Sequence, residues 1–474
     1  MKKRMFSFAA ILIIATGICI NSMAQVKMPA VFGDNMVLQQ QTEVAIWGKA
    51  SANSTVSIKP SWDGKNYTAK ADNSGRWKVK IKTPSAGGPY TLTVSDGKPV
   101  VLKNVMIGEV WICSGQSNME MPMKGFRNQP VTGSNEYIAT SSNNSIRLIT
   151  VPHVISLIPL DDFVGSWKLC EPENVAEFSA TAYFFGLMLN KALNVPVGLI
   201  CTCWGGTRIE PWISEEGLKS FDWVKLPDKS TPSEKLSPQM PTGLFNAMIN
   251  PLVGYGIRGA IWYQGESNCS EPLQYQKLLP GLALNWRSVW GIGEFPLYYA
   301  QIAPYDYGPD AINSAFLREA QLKASTAIPN LGMACLMDTG EKDCIHPANK
   351  KAVGDRLAYL ALAKTYGKKG FACEGPVLKD MKIEGNQIFL TFDNAPNGII
   401  SSANELSCFE VAGSNKRFFP AKAFITNAGI TLYSPYVGRP VAVRYAFKDF
   451  IIGDLFNIEG LPASSFRTDD WEIK

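Results

Sequence analysis

The stretch Trp111-Ile-Cys-Ser-Gly-Gln-Ser-Asn-Met-Glu-Met-Pro122 decides how the rest of the chain is interpreted. It contains the end of a mostly apolar run, Val105 to Cys113, which predicts a buried strand. Ser114-Gly115 is a turn signal, and Ser117 after it favours the start of a helix. Backbone N–H groups without partners point outward at such a place, so a serine there suits a nucleophile whose attack creates an oxyanion. The alternative is a serine that only caps a helix.

From about Val105 onward, apolar strands alternate with stretches of helical periodicity. This alternation predicts an α/β domain whose parallel sheet is covered by helices on both faces. The helical stretches are 178–193, 275–290, 315–327 and 352–363, and the predicted strands are 195–200, 253–262, 296–301 and 331–337. Such sheets bind ligands beyond the carboxyl ends of their strands, which is where we expect the functional residues.

Both flanks of this region show short strands separated by turn residues, the pattern of β-rich modules. The predicted strands are 44–47, 55–58, 76–81 and 90–94 before it, and 387–392, 429–433 and 441–445 after it. The predicted organisation is a signal peptide at 1–24, a β-sandwich at 25–104, a catalytic domain at 105–370 and a β-rich C-terminal module at 371–474.

The first residues have the features of an export signal. A positive start, Met1-Lys-Lys-Arg4, precedes an apolar run that ends in the small-x-small site Ser22-Met-Ala24. Export would place the protein in the periplasm or outside the cell, and no stretch is long enough for a membrane span. Cleavage after residue 24 removes three positive charges and no negative ones, so the formal charge falls from +5 to +2. That value does not indicate a nucleic-acid partner.

Nine cysteines follow the predicted cleavage site, and their spacing gives no disulfide framework. The pattern Cys201-x-Cys203 is a weak metal signal, because its spacing is one residue and no histidine is near. We therefore expect no metal site.

Polar clusters follow three of the predicted strands. They are Trp204 to Trp212, Gln264 to Asn268 and Asp338 to Pro347. In the first cluster, Gly205-Gly206 would let the backbone approach a ligand and aim an N–H group at it, unless it is an ordinary tight turn. In the second, a side-chain amide would donate to an oxyanion.

The third cluster matters because the chain has only two histidines. His153 has no acid near it in sequence, whereas His346 has Asp343 three residues before it. In a turn, that carboxylate would hold the Nδ1 proton of an imidazole base, and Asp338 is a second candidate acid. The alternative for Asp343 and His346 is a helix cap and a surface histidine.

Together these motifs resemble the SGNH (GDSL-like) hydrolases, and more closely the sialate O-acetylesterase family. The segments that carry the resemblance are 115–118, 205–206, 262–268 and 343–347, with further similarity at 246–251, 444–447, 457–462 and 466–471. The resemblance implies an SGNH-type three-layer catalytic domain. It also implies a secreted esterase that removes O-acetyl groups, with sialic acids as the leading substrate.

The resemblance also implies roles for individual residues. Ser117 would be the nucleophile, His346 the base, and Asp343 the residue that orients His346. The oxyanion hole would use the backbone N–H groups of Ser117 and Gly206 (or Gly205) with the amide of Gln264, for which Asn268 is a rival. Glu266 would support the site, and no cofactor is needed.

Substrate recognition is open at this point. Arg208, Arg127 or Lys124 would pair with a substrate carboxylate unless each is a surface charge, and arginine suits that geometry. Trp204, Trp212 and Trp262 would stack on a sugar, although core packing is the better interpretation for Trp262. The alternatives are an esterase for acetylated xylan, pectin or peptidoglycan, and a non-catalytic glycan-binding protein.

Overall fold

The computed structural model describes residues 26–309, 313–403 and 405–471, so the predicted signal peptide lies outside the described residues. The first seven strands are β1 (Val37–Gln39), β2 (Glu43–Lys49), β3 (Thr55–Pro60), β4 (Tyr67–Lys70), β5 (Arg76–Lys82), β6 (Gly87–Ser95) and β7 (Pro99–Gly115). β2 pairs with β5, while β6 joins β3 to β7 in a second, larger sheet. The four short strands predicted here are confirmed.

Strand β7 is 17 residues long and belongs to two parts of the molecule. Its first half pairs antiparallel with β6, and its second half, from Glu109, pairs with strands of the α/β region. The boundary predicted between residues 104 and 105 therefore falls inside one continuous strand.

The α/β region contains the remaining strands of the large sheet and all eight α-helices of the described chain. Its strands are β8 (Asn143–Thr150), β9 (Lys168–Cys170), β10 (Val197–Cys203), β11 (Gly259–Tyr263), β12 (Leu297–Ala300) and β13 (Leu331–Ala334). Its helices are α1 (Ser117–Glu120), α2 (Ser134–Ala139), α3 (Pro172–Glu177), α4 (Ala180–Leu193), α5 (Glu215–Leu218), α6 (Pro272–Trp290), α7 (Ala315–Ala324) and α8 (Lys350–Leu360). Short 3₁₀ or π turns lie at Glu210–Trp212, Ser233–Lys235, Phe245–Ile249, Asn250–Leu252, Glu266–Asn268 and Ala361–Thr365.

The strand order is β13-β12-β11-β7-β10-β8-β9, and every neighbouring pair except β8 with β9 is parallel. Alternate side chains of each strand face opposite ways. Trp111 and Cys113 of β7 join a hydrophobic cluster with α4 and α8, whereas Val110 and Ile112 join one with α6 and α7. The prediction of a parallel sheet with helices on both faces is confirmed, although strands β8 and β9 were not predicted.

The last part of the chain forms small antiparallel sheets. Its strands are β14 (Val377–Glu384), β15 (Gln387–Asp393), β16 (Ile399–Ser401), β17 (Phe409–Ala412), β18 (Phe418–Pro420), β19 (Lys422–Thr426), β20 (Gly429–Tyr433), β21 (Ala442–Tyr445), β22 (Leu455–Asn457) and β23 (Phe466–Arg467). This module packs on the α/β region, since fully buried Arg318 of α7 donates to Ser465 Oγ at 3.2 Å. Cys335 and Met337, just after β13, belong to the module's hydrophobic cluster.

Candidate active site

Ser117 lies at the carboxyl end of the central strand β7 and is the first residue of α1. Gly115 before it has a φ of 144°, and a Cβ there would lie 2.1 Å from the carbonyl oxygen of Tyr263. Only glycine therefore fits the end of this strand. His346 lies in the loop between β13 and α8, and its Nε2 is 2.7 Å from Ser117 Oγ. The structure brings the predicted serine and histidine into hydrogen-bonding contact.

The partner of the other ring nitrogen is not the expected one. His346 Nδ1 lies 2.7 Å from the amide oxygen of Gln129, in the loop between α1 and α2. Asp343 is exposed and makes no hydrogen bond to the ring. Asp338 instead accepts two hydrogen bonds from Arg356, at 2.7 and 2.6 Å. The prediction of a carboxylate partner for His346 is therefore corrected to a glutamine amide.

The surroundings of His346 keep its ring neutral. Burial and, to a smaller extent, the charge of Lys350 lower the pKa of His346 to about 4, while the charge of Glu120 acts in the opposite direction. Phe126 packs edge-on against the ring with 5.3 Å between centroids. A neutral Nε2 that faces a serine hydroxyl is placed to accept its proton.

A buried polar network behind the pair fixes the distance between its two residues. Asn118, next to the serine, donates to the carbonyl oxygen of Ile345, next to the histidine, at 3.0 Å. The Asn118 amide also donates to Glu266 at 2.6 Å and accepts from Lys350 at 2.5 Å. Glu266 thus contacts the residue next to the nucleophile, the supporting place that the family resemblance implies for it. Lys350 could not be recognised from the sequence, because a lysine in the first turn of a helix is normally solvated.

Both charged members of this network are buried. Burial raises the pKa of Glu266 and lowers the pKa of Lys350 to about 7, although Glu266 favours the charged form of the lysine. The network therefore holds an ionisable lysine close to the base.

The expected oxyanion donors are only partly available. The N–H groups of Ser117 and Gly206 have no acceptor within the described part of the chain, whereas Gly205 N–H donates to Glu120. Gln264 uses both amide hydrogens, on the carbonyl of Thr207 at 3.1 Å and on Asn268 Oδ1 at 2.7 Å.

Asn268 is occupied as well, because its Nδ2 donates to Glu210 at 3.2 Å. Gln264 therefore has no free donor for an oxyanion in this structure, which corrects that assignment, whereas Asn268 donates only one of its two amide hydrogens within the described residues. Both side chains connect the turn that follows strand β11 to residues 207–210, which follow strand β10.

The residues predicted to contact substrate have other partners. Arg208 is held by two carboxylates, those of Glu210 at 3.0 Å and Glu271. Lys124 pairs with Glu177 at 2.6 Å, and Arg127 is exposed. These contacts argue against Arg208 as the partner of a substrate carboxylate.

The three tryptophans of the polar clusters differ in burial. Trp262 and Trp212 are fully buried and pack edge to face, which confirms core packing for Trp262. Trp204 is half-buried and stacks flat on His153, with ring centroids 4.3 Å apart. Trp204 is thus the one of the three that is not fully buried.

The described residues contain neither a metal-binding cluster nor a membrane-spanning helix. No group of three or more histidine, cysteine, aspartate and glutamate side chains in ranges 26–309, 313–403 and 405–471 is arranged to hold a metal ion. None of the helices described in those ranges is long and apolar enough to cross a membrane.

A serine hydroxyl bonded to a neutral imidazole at the end of a parallel sheet is typical of hydrolases that attack carbonyl groups. Comparison with known proteins defines the class further. Residues 107–363 match the family model described as carbohydrate esterase, sialic acid-specific acetylesterase. The chain belongs to this family of sialic acid-specific acetylesterases, and it is a carboxylic ester hydrolase.

Named relatives cover most of the chain. The sialate O-acetylesterase of Homo sapiens is 29% identical over 89% of this chain and 87% of its own length. The mouse (Mus musculus) sialate O-acetylesterase is 28% identical over 87% of each. A crystal structure of a carbohydrate acetylesterase from Xanthomonas citri superposes with a TM-score of 0.86, with 33% identity over 94% of this chain and all of the other. The similarity therefore includes the flanking β-rich modules as well as the α/β region.

Proposed function

We propose that this protein removes O-acetyl groups from sialic acids through an acetyl-enzyme formed on Ser117. The observation that carries the proposal is the 2.7 Å contact between Ser117 Oγ and His346 Nε2. The names of the relatives support the leading substrate. The proposal includes an SGNH-type catalytic domain and export by the segment 1–24.

The proposed reaction has two halves. Ser117 Oγ attacks the acetyl carbonyl carbon while His346 Nε2 takes its proton, and the imidazolium then protonates the sugar oxygen that leaves. Water then attacks the carbonyl carbon of acetyl-Ser117 while His346 Nε2 takes its proton, and the imidazolium returns that proton to Ser117 Oγ as the acyl–oxygen bond breaks and acetate leaves. The N–H groups of Ser117 and Gly206, which have no acceptor among the described residues, would bind the oxyanion in each half.

Gln129 takes the place usually given to a carboxylate in this scheme. When Nε2 accepts the serine proton, Nδ1 must carry the other hydrogen, and the Gln129 amide oxygen at 2.7 Å accepts it. A neutral amide fixes the tautomer and the ring orientation but adds no charge to stabilise the imidazolium.

Substrate class is tested by acetate release from a panel of O-acetylated glycans, with the Ser117→Ala variant as the blank. We expect the highest kcat/KM on O-acetylated sialosides and none in the variant. Equal rates on sialosides and acetylated xylan would remove sialic acid as the leading substrate while leaving the esterase intact. Activity retained by Ser117→Ala would refute the mechanism itself.

A second candidate substrate is a neutral acetylated glycan such as xylan. It is favoured by the two carboxylates that occupy Arg208, since this arginine is then not free for the carboxylate of a sialic acid. The same panel decides between the two candidates.

A further inference from the structure

His153, the histidine not used in the proposed reaction, lies beside the site rather than away from it. Its Nε2 is 3.1 Å from Glu120 Oε1 and 3.0 Å from the carbonyl oxygen of Cys203. Its ring stacks flat on Trp204, with 6° between the planes. His153 thus joins α1, which begins at the serine, to the turn that follows strand β10.

Glu120 completes this connection from the other side. It ends the one-turn helix α1, and its Oε2 accepts the N–H of Gly205. A Cβ on Gly205 would lie 3.2 Å from the Cβ of Ser117 and 3.0 Å from Glu120 Oε2. The turn therefore packs directly against the nucleophile, and the next peptide N–H is that of Gly206.

We propose that His153 and Glu120 are positioning residues that hold the 204–206 turn against Ser117 and so place the Gly206 N–H for the oxyanion. The inference rests on the proposed acyl-transfer function of Ser117. Neither residue touches the reacting atoms of the proposed acyl transfer. Glu120 fixes one peptide of the turn, and His153 fixes Glu120 and Trp204.

The charge of the pair matters as much as its geometry. A carboxylate beside a developing oxyanion opposes catalysis unless a positive charge balances it. His153 supplies that charge when it is protonated, and the Glu120 contact raises the pKa of His153. The compensation is present below this raised pKa and is lost as the pH rises through it. We therefore expect kcat to fall on the alkaline side.

His153 lines a cavity of about 350 Å³. The other ionisable side chains that line this cavity are Glu120, Glu177, Cys201 and Cys203. Glu177 is exposed and paired with Lys124, and the contact with Cys201 together with burial raises the pKa of Cys203 well above its usual value. The Cys203 thiol stays neutral over the working range, so Glu120 is the negative charge that His153 balances.

Four variants test the proposal in p-nitrophenyl acetate hydrolysis, with kcat and KM followed from pH 5 to pH 8.5 after subtraction of the spontaneous rate. His153→Phe keeps the stack on Trp204 but loses the contact with Glu120, and we expect kcat to fall at least about tenfold with KM little changed. His153→Gln keeps a neutral donor, so its kcat should lose the alkaline decline and stay near the high-pH level of the wild type. Glu120→Gln still accepts from Gly205 without a charge, so it should retain more activity than Glu120→Ala.

Far-UV circular dichroism and the thermal midpoint establish folding, and Glu215→Gln, an exposed carboxylate paired with Lys229, is the matched control. The proposal is overturned if folded His153→Phe and Glu120→Ala keep kcat within twofold of wild type, or if His153→Gln keeps the wild-type alkaline decline. Ser117→Ala, assayed alongside, distinguishes failure of the positioning proposal from failure of the proposed function. If Ser117→Ala is inactive while the other variants are unaffected, only the positioning proposal fails.

Discussion

At the scale of single residues, the site is a serine and an imidazole whose second partner is an amide. The carboxylate closest to the histidine in sequence, Asp343, is exposed, whereas Gln129 lies 217 residues away from it along the chain. The pairing of Ser117 with His346 was predictable because histidines are scarce and both residues follow strands. Gln129 was not, because nothing in its loop distinguishes one amide from another.

Exchange of Gln129 for alanine should reduce kcat on the order of 10²-fold, since the imidazole loses the group that fixes its tautomer and orientation. Asp343→Asn is the matched control and should stay within twofold of wild type. Steady-state hydrolysis of p-nitrophenyl acetate measures both. The opposite pattern, with Asp343→Asn inactive and Gln129→Ala active, would restore the carboxylate assignment.

The acid limb of kcat/KM should lie near pH 4, where His346 gains a proton and stops acting as a base. Lys350, with a pKa of about 7, is charged throughout that limb and disfavours the imidazolium. Lys350→Met should therefore raise the pKa of His346 and move the limb to higher pH. A wild-type limb near pH 6.5 that does not move in the variant would contradict this account.

At the scale of elements, the long strand β7 and the turn after it place the nucleophile. The strand ends at Gly115, where the backbone of Tyr263 on strand β11 approaches too closely for any side chain. Most helices and strands followed from apolar periodicity, because their buried faces repeat with the period of the element. Strand β8 was not predicted because it begins with three polar residues, Asn143, Asn144 and Ser145, which are typical of a turn rather than a buried strand.

Gly115→Ala should lower the free energy of unfolding by about 3 kcal/mol or more, because the new methyl group meets rigid backbone. Gly385→Ala is the control: its φ of 62° is also positive, but no atom lies within 4 Å of the added Cβ. That variant should lose only about 1 kcal/mol. Urea unfolding followed by tryptophan fluorescence compares them, and equal losses would mean that the contact with Tyr263 is unimportant.

At the scale of the whole molecule, the β-rich modules are built into the α/β region rather than attached to it. Glu109 is 1% exposed and accepts hydrogen bonds from four side chains. Gln39 and Gln40 come from the first part of the chain, Arg258 from the α/β region, and Tyr366 from the segment before the C-terminal module. Separate domains were predicted from the change in strand and helix pattern along the chain, and that pattern gives no information on a strand shared between two sheets.

Glu109→Gln should therefore destabilise the whole chain by about 3 kcal/mol, because the exchange removes the buried negative charge that balances Arg258 and one of the two acceptor oxygens. One cooperative transition at lower denaturant concentration is expected, with Glu215→Gln within about 0.5 kcal/mol of wild type. An unchanged midpoint, or early loss of the N-terminal sheets alone, would show that the parts unfold independently.

The central claim is that Ser117 carries the acetyl group during turnover. The most direct measurement is rapid acid quench with p-nitrophenyl acetate, followed by peptide mass spectrometry of the wild type and the Ser117→Ala variant. The account predicts an added mass of about 42 Da on the peptide that contains Ser117, with no adduct and no turnover in the variant. An adduct on another residue, or full turnover by Ser117→Ala, would contradict it.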